Sequence, residues 1–190
     1  MPNDDPQPGA RTHEHAFFLE RTVAEQRLPL TRYATRLLGD AERARDVVQD
    51  IFVRFMAEPA EALDGHAVAW LFTVCRHRAF DVLRKERRMT PFQEGAVERI
   101  EAAEPRPGAA LESAEVHAQL LRLIDRLPPN QQEVVRLKFQ NDFSYKEISN
   151  ITHLSVSNVG FLIHTAVARL RSAWAAQGPE YRTSAEGGRP

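Results

Sequence analysis

The sequence predicts an all-α chain built as two small helical domains joined by a flexible linker. Apolar residues recur at helical spacing on both sides of the chain's middle, and no alternating strand pattern competes with them. Between them the pattern dissolves into MTPFQEGAVERIEAAEPRPGAA, which holds three prolines and two glycines and sustains no apolar face. The chain has 190 residues, 43% of them hydrophobic, which suffices for two cores of under about 100 residues each.

Residues 1–12 are rich in Pro, Gly and charge and read as a disordered tail. The first domain is expected over 13–88. Within it Leu37-Leu38-Gly39-Asp40 closes one helix with a glycine stop. Val47, Val48, Ile51, Phe52 and Phe55 form the apolar stripe of the next, which ends at Glu58-Pro59 before Asp64-Gly65 turns the chain. A further stripe, Leu71, Val74, Cys75, Ala79, Val82 and Leu83, predicts a third helix. The linker is placed at 89–111 and the second domain at 112–176. There Val116, Leu120, Ile124 and Leu127 are expected to point inward, until Pro128-Pro129 breaks the helix and opens another. Ser144-Tyr145-Lys146-Glu147 is a capping box that starts a short helix burying Ile148 and Ile151. Thr152, His153 and Leu154 then turn, and Ser155 caps a longer helix whose expected buried face is Val156, Val159, Ile163, Val167, Leu170 and Trp174. Short helix, tight turn and long helix is helix-turn-helix spacing, although any helical hairpin can share it. Residues 177–190 read as a second disordered tail.

Charge narrows the function. Net charge is −1 and the sequence pI about 6.7, so any surface for nucleic acid has to be local. Such a surface exists in AWLFTVCRHRAFDVLRKERR, residues 69–88. Arg76, Arg78, Arg84, Lys85, Arg87 and Arg88 there face only Asp81 and Glu86, six basic against two acidic residues, a local +4. Phe72, Arg76 and Phe80 fall at i, i+4 and i+8 on one helical face. Cations neutralise phosphates and rings stack on unpaired bases, which together suit separated strands. The competing reading is a solvated charged helix with Trp70 and Phe72 in the core.

Two more surfaces stand out. On DVVQDIFVRF the apolar stripe leaves Asp46, Gln49, Asp50, Val53 and Arg54 outward, either an ordinary wet face or a partner-docking one. At the start of the last helix Ser155, Ser157 and Asn158 can hold a phosphate or a base edge. Phe161 and His164 follow one turn on, with Phe161 able to pack against a thymine methyl, and Arg169 can reach the DNA backbone. Alternatively Phe161 and Leu162 thicken the core, or form an apolar patch for a protein partner.

Other classes are unsupported. No metal-ligand cluster, phosphate loop or nucleophile–base pair is visible, so an enzyme, a metal or a cofactor is not expected. The single Cys75 excludes an internal disulfide, and no apolar run approaches the roughly 18 residues of a membrane span. A cytoplasmic protein without membrane insertion is the expectation.

Two segments carry a resemblance. LIDRLPPNQQEVVRLKFQNDFSYKEISNITHLSVSNV resembles region four of bacterial sigma factors of the extracytoplasmic-function group, in the sigma-70 family. YATRLLGDAERARDVVQDIFVRFM is similar to the region-two helices of that family, and AWLFTVCRHRAFDVLRKERR to its strand-opening helix. The match spans roughly residues 15–176, with the linker where the family has one. The resemblance implies an alternative sigma factor with core RNA polymerase and promoter DNA as partners, and an anti-sigma factor as a further one. It implies that Asp46, Gln49, Asp50, Val53 and Arg54 dock on the clamp helices of the largest polymerase subunit. Leu63, Asp64, Gly65 and His66 would hold a flipped base of the minus-ten element. Trp70, Phe72, Arg76, His77, Phe80, Arg84 and Lys85 would bind and melt that element, while Ser155, Ser157, Asn158, Phe161, His164 and Arg169 would face the minus-35 element. This chain departs from the pattern at His77, where many members have Asn, and at Thr73, where many have Arg. It departs again at VGFLIHTA, which lacks the usual Lys or Arg, and at His153, where a turn glycine is common. A sigma-like decoy that binds an anti-sigma factor and no promoter is the alternative.

Overall fold

The computed structural model describes residues 8–63, 65–89 and 111–176, which form eight helices and no strand. The sequence-predicted linker between 89 and 111, the tail 177–190, residues 1–7 and Asp64 lie outside the described residues. The chain divides into two compact units, residues 1–102 and 103–190.

The first unit is α1 (Pro8–Leu38), α2 (Ala41–Met56), α3 (Ala60–Leu63) and α4 (Ala67–Met89). α1 begins at Pro8, inside the segment expected to be a tail, and α3 is a single turn too short to leave a periodic signal. Gly39 ends α1 in the left-handed region at φ 70°, where a side chain would be strained. Asp40 then caps α2, its carboxylate accepting from the backbone N–H groups of Glu42 and Arg43 at 2.8 and 3.0 Å. Those bonds, with the Arg43 N–H dominant, hold the Asp40 carboxyl below its ordinary range. α1 packs on both α2 and α4. The core they share comprises Leu30, Tyr33 and Ala34 of α1, Val47, Val48, Ile51 and Phe55 of α2, and Leu71, Phe72, Cys75 and Ala79 of α4. Each large side chain fully withdrawn from water here contributes about 1.5–3 kcal/mol.

The second unit is α5 (Leu111–Asp125), α6 (Pro129–Gln140), α7 (Tyr145–Thr152) and α8 (Val156–Ala176). Pro129 opens α6 at a position where its missing N–H costs nothing. Gln132 closes the preceding turn by donating from Nε2 to the carbonyls of Asp125 and Leu127 at 2.9 and 2.7 Å. The Arg136 side chain is only 7% exposed and donates to the Asp125 carboxylate and to Gln140. Burial lowers the Arg136 pKa and the Asp125 charge opposes that shift. The capping box forms as the sequence predicts: the Glu147 N–H donates to Ser144 Oγ at 3.2 Å, and the Ser144 N–H to Glu147 Oε2 at 2.7 Å. His153 ends α7 at φ 59°, a left-handed position that glycine fills without strain. The chain bends by 104° from α7 into α8, within the range of a helix-turn-helix.

The buried stripe of α8 is shorter than its periodicity suggests. Val159, Leu162, Ile163 and Ala166 are buried, Val167 and Leu170 are half-buried, and Val156 and Trp174 are exposed. Likewise Val116 and Leu120 of α5 are exposed rather than inward, and the burial begins at Leu123. At about 1.5 Å per residue α8 runs about 30 Å and the crossing α7 about 12 Å, so α7 does not reach the far end of α8, where Trp174 is exposed.

Burial raises the Cys75 thiol from its ordinary 9.0 to about 12. The folded chain therefore keeps a proton that the unfolded chain loses first, so this stability is intact below about pH 9 and is lost as pH rises toward 12. Native protein titrated with an aromatic disulfide at pH 8 should release almost no thiolate, and denatured protein one equivalent. Rapid native release would contradict a sealed core at Cys75.

Candidate nucleic-acid interface

α4 segregates its residues by angle. Leu71, Phe72, Cys75 and Ala79 face α1 and α2, and the Phe72 ring lies 5.1 Å from that of Tyr33. Phe72 is fully buried, which corrects its place among the base-stacking residues: it belongs to the core half of the rival reading. Trp70 is half-buried with its ring 5.8 Å from Phe55, and also holds α4 to α2. Phe80 is 43% exposed, and the Arg76 guanidinium sits over its ring at 4.6 Å from the centroid. His77, Arg84, Lys85 and Arg88 are exposed on the same helix. The outward face thus keeps one aromatic ring and its cations, while Phe72 has gone inside.

Ion pairs shape this face in ways a linear sequence does not disclose. Arg78 reaches Asp50 of α2 at 3.4 Å, Glu86 accepts from Arg43 of α2 at 2.6 Å, and Arg84 pairs with Asp81 one turn back. Counting the two partners on α2 gives seven basic against three acidic residues, so the local +4 is unchanged. These pairs are solvent-exposed and worth at most about 1 kcal/mol each. Their effect is on orientation. Arg78 Nε is buried without a hydrogen-bond partner, which places that guanidinium partly under the surface rather than free above it.

The turn before α4 is only partly a surface. Leu63 is buried in the core, which removes it from the expected base-holding set in this conformation. Gly65 is exposed at φ 65°, with nothing within 4 Å of an added Cβ, so the turn needs glycine for its backbone angle. His66 is exposed and its N–H donates to the Leu63 carbonyl at 3.1 Å. On α2, Asp46, Gln49, Asp50, Val53 and Arg54 are all exposed on one face, and Val53 is 67% exposed beside Met56. An apolar centre with a polar rim is suited to docking a partner helix.

In the second unit Ser155, Ser157, Asn158, Phe161, His164 and Arg169 are exposed along α8. Ser155 caps the helix by accepting the Asn158 N–H at 3.2 Å, leaving its hydroxyl proton to donate outward. Phe161 is 65% exposed, so it does not thicken the core, whereas Leu162 is buried and does. Arg169 donates to Gln131 of α6 at 3.2 Å, a tether that a DNA contact would compete with. Gly160 sits beside Tyr145 of α7, whose ring would meet an added Cβ at 3.5 Å, ordinary contact rather than a clash. Sequence reasoning gave no sign of the Tyr145 contact, because it depends on the 104° crossing. Among the described residues no group of His, Cys, Asp and Glu is arranged to hold a metal ion, and no single helix is long and apolar enough to cross a membrane.

Comparisons with known proteins fall on these same two units. Residues 23–89 match the family described as Sigma-70 region 2, and residues 117–170 that described as Sigma-70, region 4. The ECF RNA polymerase sigma factor EcfG of Rhodopseudomonas palustris is 30% identical over 152 residues, covering 80% of this chain and 82% of that protein. The ECF RNA polymerase sigma factor SigL of Mycobacterium tuberculosis is 31% identical over 170 residues, covering 86% of this chain and 92% of that protein. Among solved structures, the sigma factor RpoE bound to the anti-sigma factor NepR from Bartonella quintana shares the fold. Its TM-score is 0.63 at 20% identity, over 84% of this chain and 98% of that one.

Substitution separates core from surface on α4. Phe72→Ala should cost about 3–5 kcal/mol and Phe80→Ala less than about 1 kcal/mol in denaturant unfolding. Equal losses would contradict the division of the helix.

Proposed function

We infer, because the chain belongs to the extracytoplasmic-function group of RNA polymerase sigma factors, that it directs core polymerase to specific promoters and helps to open the DNA. The family consists of transcription regulators rather than enzymes. In this reading the exposed face of α2, with Val53 at its centre and Asp46, Gln49, Asp50 and Arg54 around it, docks on the clamp helices of the largest subunit. Gly65, His66, Trp70, Arg76, His77, Phe80, Arg84 and Lys85 engage the minus-ten element. Ser155, Ser157, Asn158, Phe161, His164 and Arg169 face the minus-35 element. The protein works in the cytoplasm, beside the polymerase.

The observation that carries the reading is the division of α4. A helix whose inner face is sealed by Phe72 and Cys75 holds its outer face rigidly, and that face offers Phe80 for stacking and Arg76, Arg84, Lys85 and Arg88 for phosphates. Leu63 would join the minus-ten contact only if the turn rearranges on binding, since it is buried.

A second reading, the decoy that captures an anti-sigma factor without reading a promoter, draws support from α8, where no Lys or Arg occurs between residues 155 and 168. Run-off transcription with core polymerase on genomic fragments distinguishes the two. Discrete transcript starts are expected; binding to polymerase with no specific transcripts would favour the decoy.

Two substitutions examine the parts. Asp50→Arg should lower affinity for core polymerase by about tenfold, since it reverses a rim charge while costing the fold at most about 1 kcal/mol; unchanged co-purification would take Asp50 out of the docking face. Arg76→Ala combined with Arg84→Ala should slow promoter opening by about tenfold or more, read by fluorescence of an unstacking base analogue. Normal opening would remove both from the melting surface.

A further inference from the structure

An apolar groove of about 160 Å³ lies in the second unit, between the end of α5 and the last turns of α8. Leu123 of α5, Leu127 of the turn after it, and Leu170 and Ala173 of α8 line it, and the exposed Arg126 and Arg169 add their side chains to the lining. Behind it stands the small core in which Leu127 packs with Ile124, Val135 and Ala166, with Leu170 against them.

The apolar surface does not stop at the groove. Val116, Leu120 and Leu123 follow one another at four- and three-residue spacing on one face of α5, and Trp174 follows Leu170 by four on α8. Val116, Leu120 and Trp174 are nevertheless exposed, so among the described residues this stripe is left partly uncovered.

The segment nearest to it in the chain is 177–190, QGPEYRTSAEGGRP, in which Tyr181 is the one large apolar side chain. α8 ends at Ala176, about one turn past Ala173. Gly178-Pro179 follows, a pair that favours a turn over a continued helix. Five residues of extended chain span up to about 17 Å. Leu170 lies six residues back along α8, about 9 Å, so Tyr181 reaches the groove with chain to spare for the reversal. An apolar cavity of roughly 150 Å³ holds a benzene ring, so there is room for one phenol. Its hydroxyl can accept from a guanidinium, which Arg126 and Arg169 supply beside the apolar lining.

We propose that residues 177–181 fold back over the end of α8 and seat the Tyr181 ring in this groove, an intramolecular cover for the α5–α8 face. Tethering sets the effective concentration of the ring on the order of millimolar, above that of a free partner of similar intrinsic affinity. A partner drawn to the face has to displace the ring, and its apparent affinity scales with the fraction of molecules whose groove stands open.

The test is NMR of the full chain with its leucine methyls labelled. Nuclear Overhauser contacts between the Tyr181 ring and the methyls of Leu123, Leu127 and Leu170 are expected. Tyr181→Ser should abolish them and remove the ring-current displacement of those methyls, whereas Tyr181→Phe should keep both. The methyls of Leu30 and Leu71 in the first unit should not move in either variant. A sample mixing labelled and unlabelled chains separates contacts within one chain from contacts between copies. Absence of contacts within one chain overturns the proposal, whether the groove then proves empty or filled by a second copy.

Discussion

The packing of α4 against α1 and α2 is the constraint on which the rest of the first unit depends. A helix has one circumference, and burying Leu71, Phe72, Cys75 and Ala79 commits about half of it to the core. Whatever α4 presents to a partner has to stand on the other half. That half carries Arg76 over Phe80, and His77, Arg84, Lys85 and Arg88 around them. Because the buried half is close-packed, the exposed half cannot rotate, and its ring and cations are presented in a fixed arrangement before any strand arrives. The full burial of Cys75, with a thiol pushed up to about 12, marks how completely water is excluded behind them.

The two ionic ties between α2 and α4 act on this arrangement rather than on stability. Arg78 with Asp50 and Glu86 with Arg43 are too exposed to contribute more than about 1 kcal/mol each. They do fix the angular setting of the helix proposed to dock on polymerase relative to the helix proposed to hold DNA. Asp50 pairs with Arg78 of α4 and also lies on the exposed face of α2, so a change at that position reaches both helices. In the second unit the bend between α7 and α8 is flanked by the left-handed His153, which ends α7, and by Ser155, which caps α8.

Much of this was legible in the sequence because it is local. Gly39-Asp40, Pro128-Pro129, Ser144-x-x-Glu147 and Ser155 each specify a helix end through bonds within four residues, and each appears as expected. The exposed face of α2 was legible for the same reason, as the remainder of a clean stripe. What failed was whatever depends on how far a neighbouring element extends. Val116, Leu120, Val156 and Trp174 have the period of buried residues and are exposed, since nothing in a 3.6-residue repeat states where the opposing helix stops. Phe72 shares its face with Arg76 and Phe80 by spacing and yet lies in the core, since a difference of eight residues drifts about 80° around the helix and carries Phe80 to the outside. Leu63 looked like part of a turn because its single-turn helix is shorter than any periodicity. The cross-helix pairs of Arg78 and Arg43 were invisible because charge has no period.

The central claim is that the outer face of α4, and not its inner face, touches the separated strand when polymerase is docked. The most direct measurement places a photoreactive phenylalanine at position 80, or in a parallel sample at position 72, and irradiates each chain assembled with core polymerase on a promoter carrying an unpaired minus-ten segment. Crosslinks from position 80 to the unpaired strand, with none from position 72, are the expected result. Crosslinks from position 72 alone, or from neither in a complex that still initiates transcription, would contradict it.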